Sequence, residues 1–319
     1  MPKSFQLKLT GGAWFGLFVL FYVLTAGIVA LYVGIFVNLA TGEVVKSING
    51  TLLALICSAL TIYMLFVFGW VIPLYRKGIS LLEFDDKPFQ FHGRIPAFVG
   101  LNVLGLFLSI ITLFIYFPWY LKRLTKYLTE NIEYDGARLE FSGSAGKFWL
   151  TFLWSFYVPF VILIVFTGAF PGGGASDAAH SFLRQALSQI LFIPFGYQLY
   201  QWFFNNLKYK TKNSHWNTSF WPSLGMILGQ TLLSFITIFV YWPAACLRIF
   251  RYFAGRTEVQ ENGQTKGRFE FQGKIGKGFL LIWGQALLCI ITLFIYTPWA
   301  VAKVYRWVLS ETQYVADVS

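Results

Sequence analysis

Charge is what this sequence most lacks. No Lys, Arg, Asp or Glu occurs in seven windows: 9–42, 47–75, 95–121, 148–176, 185–207, 213–247 and 278–302. A membrane-crossing helix needs about 20 apolar residues, and every window is long enough. Charged residues make up only 12% of the chain, about half the share of a soluble domain. These absences exclude a soluble globular protein and point to a polytopic membrane protein. They also count against an ion-coupled pump, which keeps an ionisable side chain at depth.

Other chemistry is missing too. Cys57, Cys246 and Cys289 are scattered through apolar windows with no CxxC pair, so neither a disulfide framework nor a metal site is indicated. His92, His180 and His215 lie in separate segments without ligand spacing. The chain has no P-loop, no HExxH and no GxSxG. The expectation is therefore no enzyme, no catalytic residue, no cofactor and no metal. The net charge of +11 is read as loops obeying the positive-inside rule, with no nucleic-acid partner. Lys3 and Lys8 precede 34 uncharged residues, longer than the roughly 7–15 of a signal-peptide core, so an uncleaved span is expected there.

What is present is repetition. IITLFIYFPW runs from Ile110 to Trp119, IITLFIYTPW from Ile290 to Trp299, and a looser FITIFVYWP from Phe235 to Pro243. Aromatic alternations closed by Gly follow in FQFHG (Phe89–Gly93), LEFSG (Leu139–Gly143) and FEFQG (Phe269–Gly273). Their period of two predicts short half-buried strands. Turn signals precede them at Asp85-Asp86, Asp135-Gly136 and Asn262-Gly263, as hairpins require. Five repeat-like units of a single membrane domain are expected: 5–88, 89–138, 139–212, 213–268 and 269–319. Their closing prolines are Pro73, Pro118, Pro194, Pro243 and Pro298. In units 2, 4 and 5 basic residues fall five and eight places after Pro, as Arg123/Lys126, Arg248/Arg251 and Lys303/Arg306. That spacing makes one stripe of an interfacial helix.

Charge counting decides the topology. If all seven windows cross, the 25 basic residues divide 14 to 11 between the two sides. If units 2, 4 and 5 enter and leave on one side, they divide 23 to 2, leaving only Lys46 and Arg184 outside. The expected fold is an all-α polytopic membrane protein. It has four full transmembrane helices plus three re-entrant helical hairpins, with short cytoplasmic β-hairpins between the units. The alternative is seven transmembrane helices. The hairpin tips are expected at Gly229-Gln230, Gly284-Gln285 and near Asn102 and Gly105. Arms of about 10 residues would then reach about 15 Å, to mid-bilayer. The IITLFIY stretch becomes the returning arm, and Pro-Trp its re-emergence at the surface.

Phe-x-Gly, an apolar run, an Ile-Thr-Leu-x-Ile-Tyr-x-Pro-Trp stretch, a basic-aromatic segment and an Asn/Asp-Gly hairpin together resemble a known family. These are the YjgN-like bacterial inner-membrane proteins, domain-of-unknown-function family 898. The resemblance covers most of the chain, best at 89–143 and 222–307. The family's usual Gly after Thr-Leu is Phe114 and Phe294 here. The resemblance implies a multi-pass protein of the bacterial inner membrane and carries over no catalytic or ligand-binding residue.

Asn102, Gln230 and Gln285 are the candidate polar path or hairpin-tip groups, with helix contacts as the plainer reading. Trp119, Trp242 and Trp299 are candidate interfacial anchors. The basic pairs Arg123/Lys126, Arg248/Arg251 and Lys303/Arg306 are candidate contacts to anionic lipid, beside their ordinary role in topology. The expected partners are membrane lipids, with a homo-oligomer or a cytoplasmic protein as further candidates. Both termini are expected in the cytoplasm. Two functions stay open: a membrane-organising or lipid-interacting protein, and a transporter or channel for a neutral small solute or lipid.

Overall fold

A computed structural model describes residues 3–40, 50–169 and 177–316, with side chains for all of these except 31–57 and 166–189. The expected outer loops at 38–50 and 171–184 fall largely outside the described residues, as do Lys46 and the Cys57, His180 and Arg184 side chains.

Strand, helix, helix, strand is the order followed five times. The first pass is β1 (Lys3–Leu7), α1 (Gly11–Ala40), α2 (Gly50–Ser80) and β2 (Leu82–Phe84). The second is β3 (Lys87–Phe91), α3 (Ile95–Ile111), α4 (Phe117–Glu130) and β4 (Ile132–Tyr134). In the third, β5 (Ala137–Phe141) leads into α5 (Ala145–Phe152), a π-helical turn (Leu153–Tyr157) and α6 (Val158–Ala169). It returns through α7 (Asp177–Phe204) to β6 (Leu207–Tyr209). The fourth is β7 (Lys212–Trp216), α8 (Phe220–Ile236), α9 (Trp242–Ala254) and β8 (Thr257–Glu261). The fifth is β9 (Gln264–Phe271), α10 (Ile275–Ile291), α11 (Thr297–Ser310) and β10 (Thr312–Ala316).

The protein is not all-α. Among the described residues ten strands form one closed antiparallel barrel, in which each strand pairs with its chain neighbours and β10 pairs with β1. The alternations were expected to make separate small hairpins. Closure was hidden because Lys3 pairs with Tyr314 and Ser4 with Gln313, partners that no local pattern connects. A closed sheet leaves no unpaired edge. Two-residue turns join successive passes at one rim, with positive φ at Asp85, Asp86, Asp135 and Asn262, the geometry that hairpin twist demands. All five helical pairs rise from the other rim.

Aromatic rings fill the barrel. Phe84 lies 6.0 Å from Tyr134, and Tyr134 lies 5.5 Å from Tyr209. Those residues stand on strands two apart, and such side chains converge only on the concave face of a curved sheet. Tyr134 and Tyr209 also donate to the Phe84 and Tyr134 carbonyls, at 2.9 and 3.0 Å. The convex face is polar. It carries the pairs Lys8–Glu83 at 2.6 Å, His92–Glu133 at 3.0 Å and Arg268–Glu270 at 2.8 Å.

Three helical stretches among the described residues are long and apolar enough to cross a membrane: Gly11–Ala30, Ser58–Ser80 and Ala145–Val165. Four were expected, with seven as the alternative. The apolar helices α3, α8 and α10 fall short of that length. Each has 17 residues, about 25 Å at 1.5 Å per residue. Their partners α4, α9 and α11 return to the same barrel rim.

The tips of these short pairs are not at Gly-Gln. They fall at Thr112–Tyr116, Thr237–Tyr241 and Thr292–Tyr296. IITLFIY is thus the end of the outgoing helix and the turn itself, not a returning arm. Two successive residues take positive φ in each turn: Leu113 and Phe114, Ile238 and Phe239, Leu293 and Phe294. One Thr hydroxyl ties each turn together. Thr112 Oγ1 donates to Leu108 O at 2.7 Å and accepts from Tyr116 N at 3.0 Å. Thr237 and Thr292 repeat both bonds. Backbone groups freed at a helix end need such partners where water is absent. Pro118, Pro243 and Pro298 then sit in the first turn of the returning helix, where no N–H is missed. Pro73 and Pro194 instead lie inside continuous helices.

Candidate lipid-facing site

The short pairs end in bare apolar side chains. Leu113 is 76% exposed, Ile238 83% and Leu293 83%, and Ile111, Ile236 and Ile291 beside them are also exposed. Exposed apolar caps of this kind mark a surface that contacts a membrane or another protein. Trp119, Trp242 and Trp299 stand in the first turn after each tip. Trp119 and Trp299 stack on Tyr116 and Tyr296, with interplanar angles of 14° in both cases.

Cations follow along the returning helices. Arg123, Arg248 and Lys303 lie about 9 Å along the axis from the helix start, and Lys126, Arg251 and Arg306 about 13 Å, at 1.5 Å per residue. The apolar cap above them is therefore roughly half the depth of a bilayer core of about 30 Å. Arg123 and Arg248 lie over the rings of Tyr116 and Tyr241, 5.8 and 5.4 Å from the centroids. Lys126 pairs with Glu130 at 3.7 Å.

The second cation has a structural task in two of these helices. Arg251 Nη2 donates to the Gly273 carbonyl, and Arg306 Nη2 to the Leu9 carbonyl. Arg76, at the equivalent place six residues before β2, donates to the Gly93 carbonyl at 2.6 Å. Each arginine thus ties a returning helix to the chain leaving the next strand of the barrel. Arg76 carries no signal in the Pro-based spacing, because Pro73 lies inside α2.

The buried amides part company. Asn102 Oδ1 accepts from Tyr120 Oη at 2.7 Å, and its Nδ2 donates to Phe98 O at 2.7 Å. Gln230 Oε1 accepts from Tyr241 Oη at 2.8 Å. Gln285 is 6% exposed, yet its Oε1 has no hydrogen-bond partner among the described residues. Gly105 occupies the place of Gln230 and Gln285, seven residues before the tip Thr. A Cβ there would meet the Tyr120 ring at 2.0 Å. The Gly105/Tyr120 pair thus replaces Gln230/Ala245 and Gln285/Ala300. None of the three amides lies at a tip, contrary to expectation, and no hydrogen bond among the described residues joins any two of them.

Comparison with known proteins agrees with this membrane character. Residues 83–267 match the family model described as "Bacterial protein of unknown function (DUF898)". A stretch of 93 residues is 30% identical to the inner membrane protein YjgN of Escherichia coli strain K12. That stretch is 29% of this chain and 23% of the relative. YjgN of Escherichia coli O157:H7 gives the same identity and coverage. The matched stretch therefore spans about a quarter of the length of these curated relatives. No solved structure matches.

Proposed function

We propose that this chain, which belongs to the bacterial family of unknown function DUF898, is a lipid-interacting protein that organises one leaflet of the inner membrane. The long apolar stretches Gly11–Ala30, Ser58–Ser80 and Ala145–Val165 anchor it in the bilayer. The three short pairs enter from the barrel side and return to it, as re-entrant hairpins. The barrel and both terminal strands then lie in the cytoplasm, where the positive-inside rule puts most of the basic residues.

One observation carries this reading: three largely exposed apolar tips, at Leu113, Ile238 and Leu293, stand above a level of Trp and cations. That gradient matches acyl chain, interface and headgroup in turn. Wedges confined to one leaflet add area to it alone. A conduction path is less well supported. Tyr hydroxyls take up Asn102 and Gln230, and rings fill the barrel.

Depth at the tips tests the proposal. Cys57, Cys246 and Cys289 are replaced, and single cysteines at Leu113, Ile238 and Leu293 carry a nitroxide in reconstituted vesicles. The expected result is a position near the bilayer centre at all three, with no reaction towards an impermeant thiol reagent from either face. Reaction from the face opposite the barrel would sink it.

A further inference from the structure

We infer that the groove between α10 and α11 holds the headgroup of one anionic phospholipid. This rests on the lipid-interacting reading above and gives it a site. The groove is open to its surroundings along one side, has a volume of about 600 Å³ and is lined by Lys277, Leu280, Gly284, Gln285, Lys303 and Arg306 among others.

Three observations single it out from the equivalent places on the other short hairpins. The first is charge on both arms. Lys277 on α10 lines the same groove as Lys303 and Arg306 on α11, whereas Ala97 and Pro222 occupy the place of Lys277 in the other two. The second is that these cations are unspent. Arg123 and Arg248 engage tyrosine rings. Among the described residues, Lys277 and Lys303 have no ion pair, hydrogen bond or ring contact. Arg306 gives one N–H to Leu9 and keeps others, since a guanidinium has five. The third is Gln285, buried, lining the groove and lacking a partner for Oε1. Its equivalent Gln230 is satisfied by Tyr241. A buried polar atom without a partner costs free energy unless something supplies one.

The vertical order fits a phospholipid. Lys277 lies near the barrel, and Gln285 about 12 Å farther along the helix at 1.5 Å per residue. Lys303 lies level with Gln285, each about 9 Å from the tip at 1.5 Å per residue. Lys277 and Arg306 therefore meet the phosphate, Lys303 and the Gln285 amide meet the polar glycerol backbone, and the chains run over the apolar tip. An amide presents both donor and acceptor to such a backbone.

Native mass spectrometry of the full chain in detergent tests this, with dioleoyl phosphatidylglycerol and dioleoyl phosphatidylcholine as probes. The wild type is expected to retain phosphatidylglycerol preferentially. Lys277→Gln with Lys303→Gln should weaken that retention about tenfold or more, two cations being lost. Gln285→Leu should weaken it less, without loss of thermal stability. Lys212→Gln with Lys266→Gln removes the same charge from the barrel and should change nothing. An equal loss in that control, or no lipid preference in the wild type, overturns the assignment. So does displacement of bound lipid by free glycerol 1-phosphate at equal concentration, which would make the groove a site for soluble phosphate esters. None of these outcomes touches the depth of Leu113, Ile238 and Leu293. Shallow tips with a retained phosphatidylglycerol preference would defeat the one-leaflet reading alone.

Discussion

Arg306 and Leu9 lie 297 residues apart and are joined by a hydrogen bond from the guanidinium to the backbone carbonyl. The bond ties the last helix to the chain leaving the first strand. Arg76–Gly93 and Arg251–Gly273 do the same between other passes. A charged donor on a half-buried carbonyl contributes about 1–2 kcal/mol. Arg251→Met should lower the melting temperature in detergent by that much stability. Arg76→Met should add to it independently, because separated sites do not couple. Calorimetry of both singles and the double checks it. An unaltered melting point for both would show the contacts to be idle.

The buried amides give a contrast. Tyr120→Phe leaves Asn102 Oδ1 buried and unpaired, a cost of about 1–3 kcal/mol. Gln230→Leu strands the Tyr241 hydroxyl, which is less buried, and should cost about 1 kcal/mol. Gln285→Leu removes an atom that already lacks a partner, and should leave stability unchanged or raised. Denaturant titration of the three variants ranks them. The reverse order would contradict the hydrogen-bond assignments.

Hairpin tips store backbone strain. Phe114 and Phe294 both have φ of +66°, where only Gly is free of steric cost. Phe114→Gly and Phe294→Gly should each stabilise by about 1 kcal/mol. Thr292→Val should destabilise by about 1–2 kcal/mol, because one hydroxyl serves both helices. Thermal shifts of opposite sign in these variants are the expected outcome.

Titration of the barrel follows from two neighbouring residues. A hydrogen bond from Lys87, with the charges of Lys87 and Lys210, lowers the Asp135 pKa below its ordinary 3.8. A carboxylate depressed in the folded state contributes stability above its unfolded pKa, lost as pH falls through the folded value. Asp135→Asn should therefore flatten the loss of stability below about pH 4. Burial, and then the charge of Asp85, pushes Tyr134 up to about 12. Its contribution is present below pH 10 and is lost as pH rises towards 12. Phenolate absorbance of the wild type should show a tyrosine titrating near pH 12 that Tyr134→Phe lacks.

Local chemistry explains what the sequence disclosed. The Asp-Gly and Asn-Gly turns are legible because two adjacent residues at positive φ require those types. Apolar windows are legible because charge is expelled from them. The tip was misplaced for a related reason. Phe114, Phe239 and Phe294 stand where a turn would be announced by Gly, and two real Gly-Gln pairs lie a helical stretch earlier. Those glycines sit inside α8 and α10 instead. The barrel was not legible as a barrel. Each strand shows only its own alternation, and the pairing of Phe91 with Ile132, or Leu7 with Leu82, spans an entire helical pair. The groove of Lys277, Gln285, Lys303 and Arg306 was half visible. Its α11 side follows the Pro spacing, while Lys277 matches nothing in the other hairpins.

Closure by β1 and β10 has a consequence for biogenesis. Thr312–Ala316 emerges from the ribosome after every helical pair has been made. Until then β1 and β9 are open strands, able to pair with other chains. The helices must enter the lipid one pair at a time while their scaffold is still an incomplete arc. Each arginine latch already made can hold successive pairs in register during this interval. Nascent chains arrested before Thr312 should therefore be inserted yet sticky, and the final strand acts as the event that ends that vulnerability.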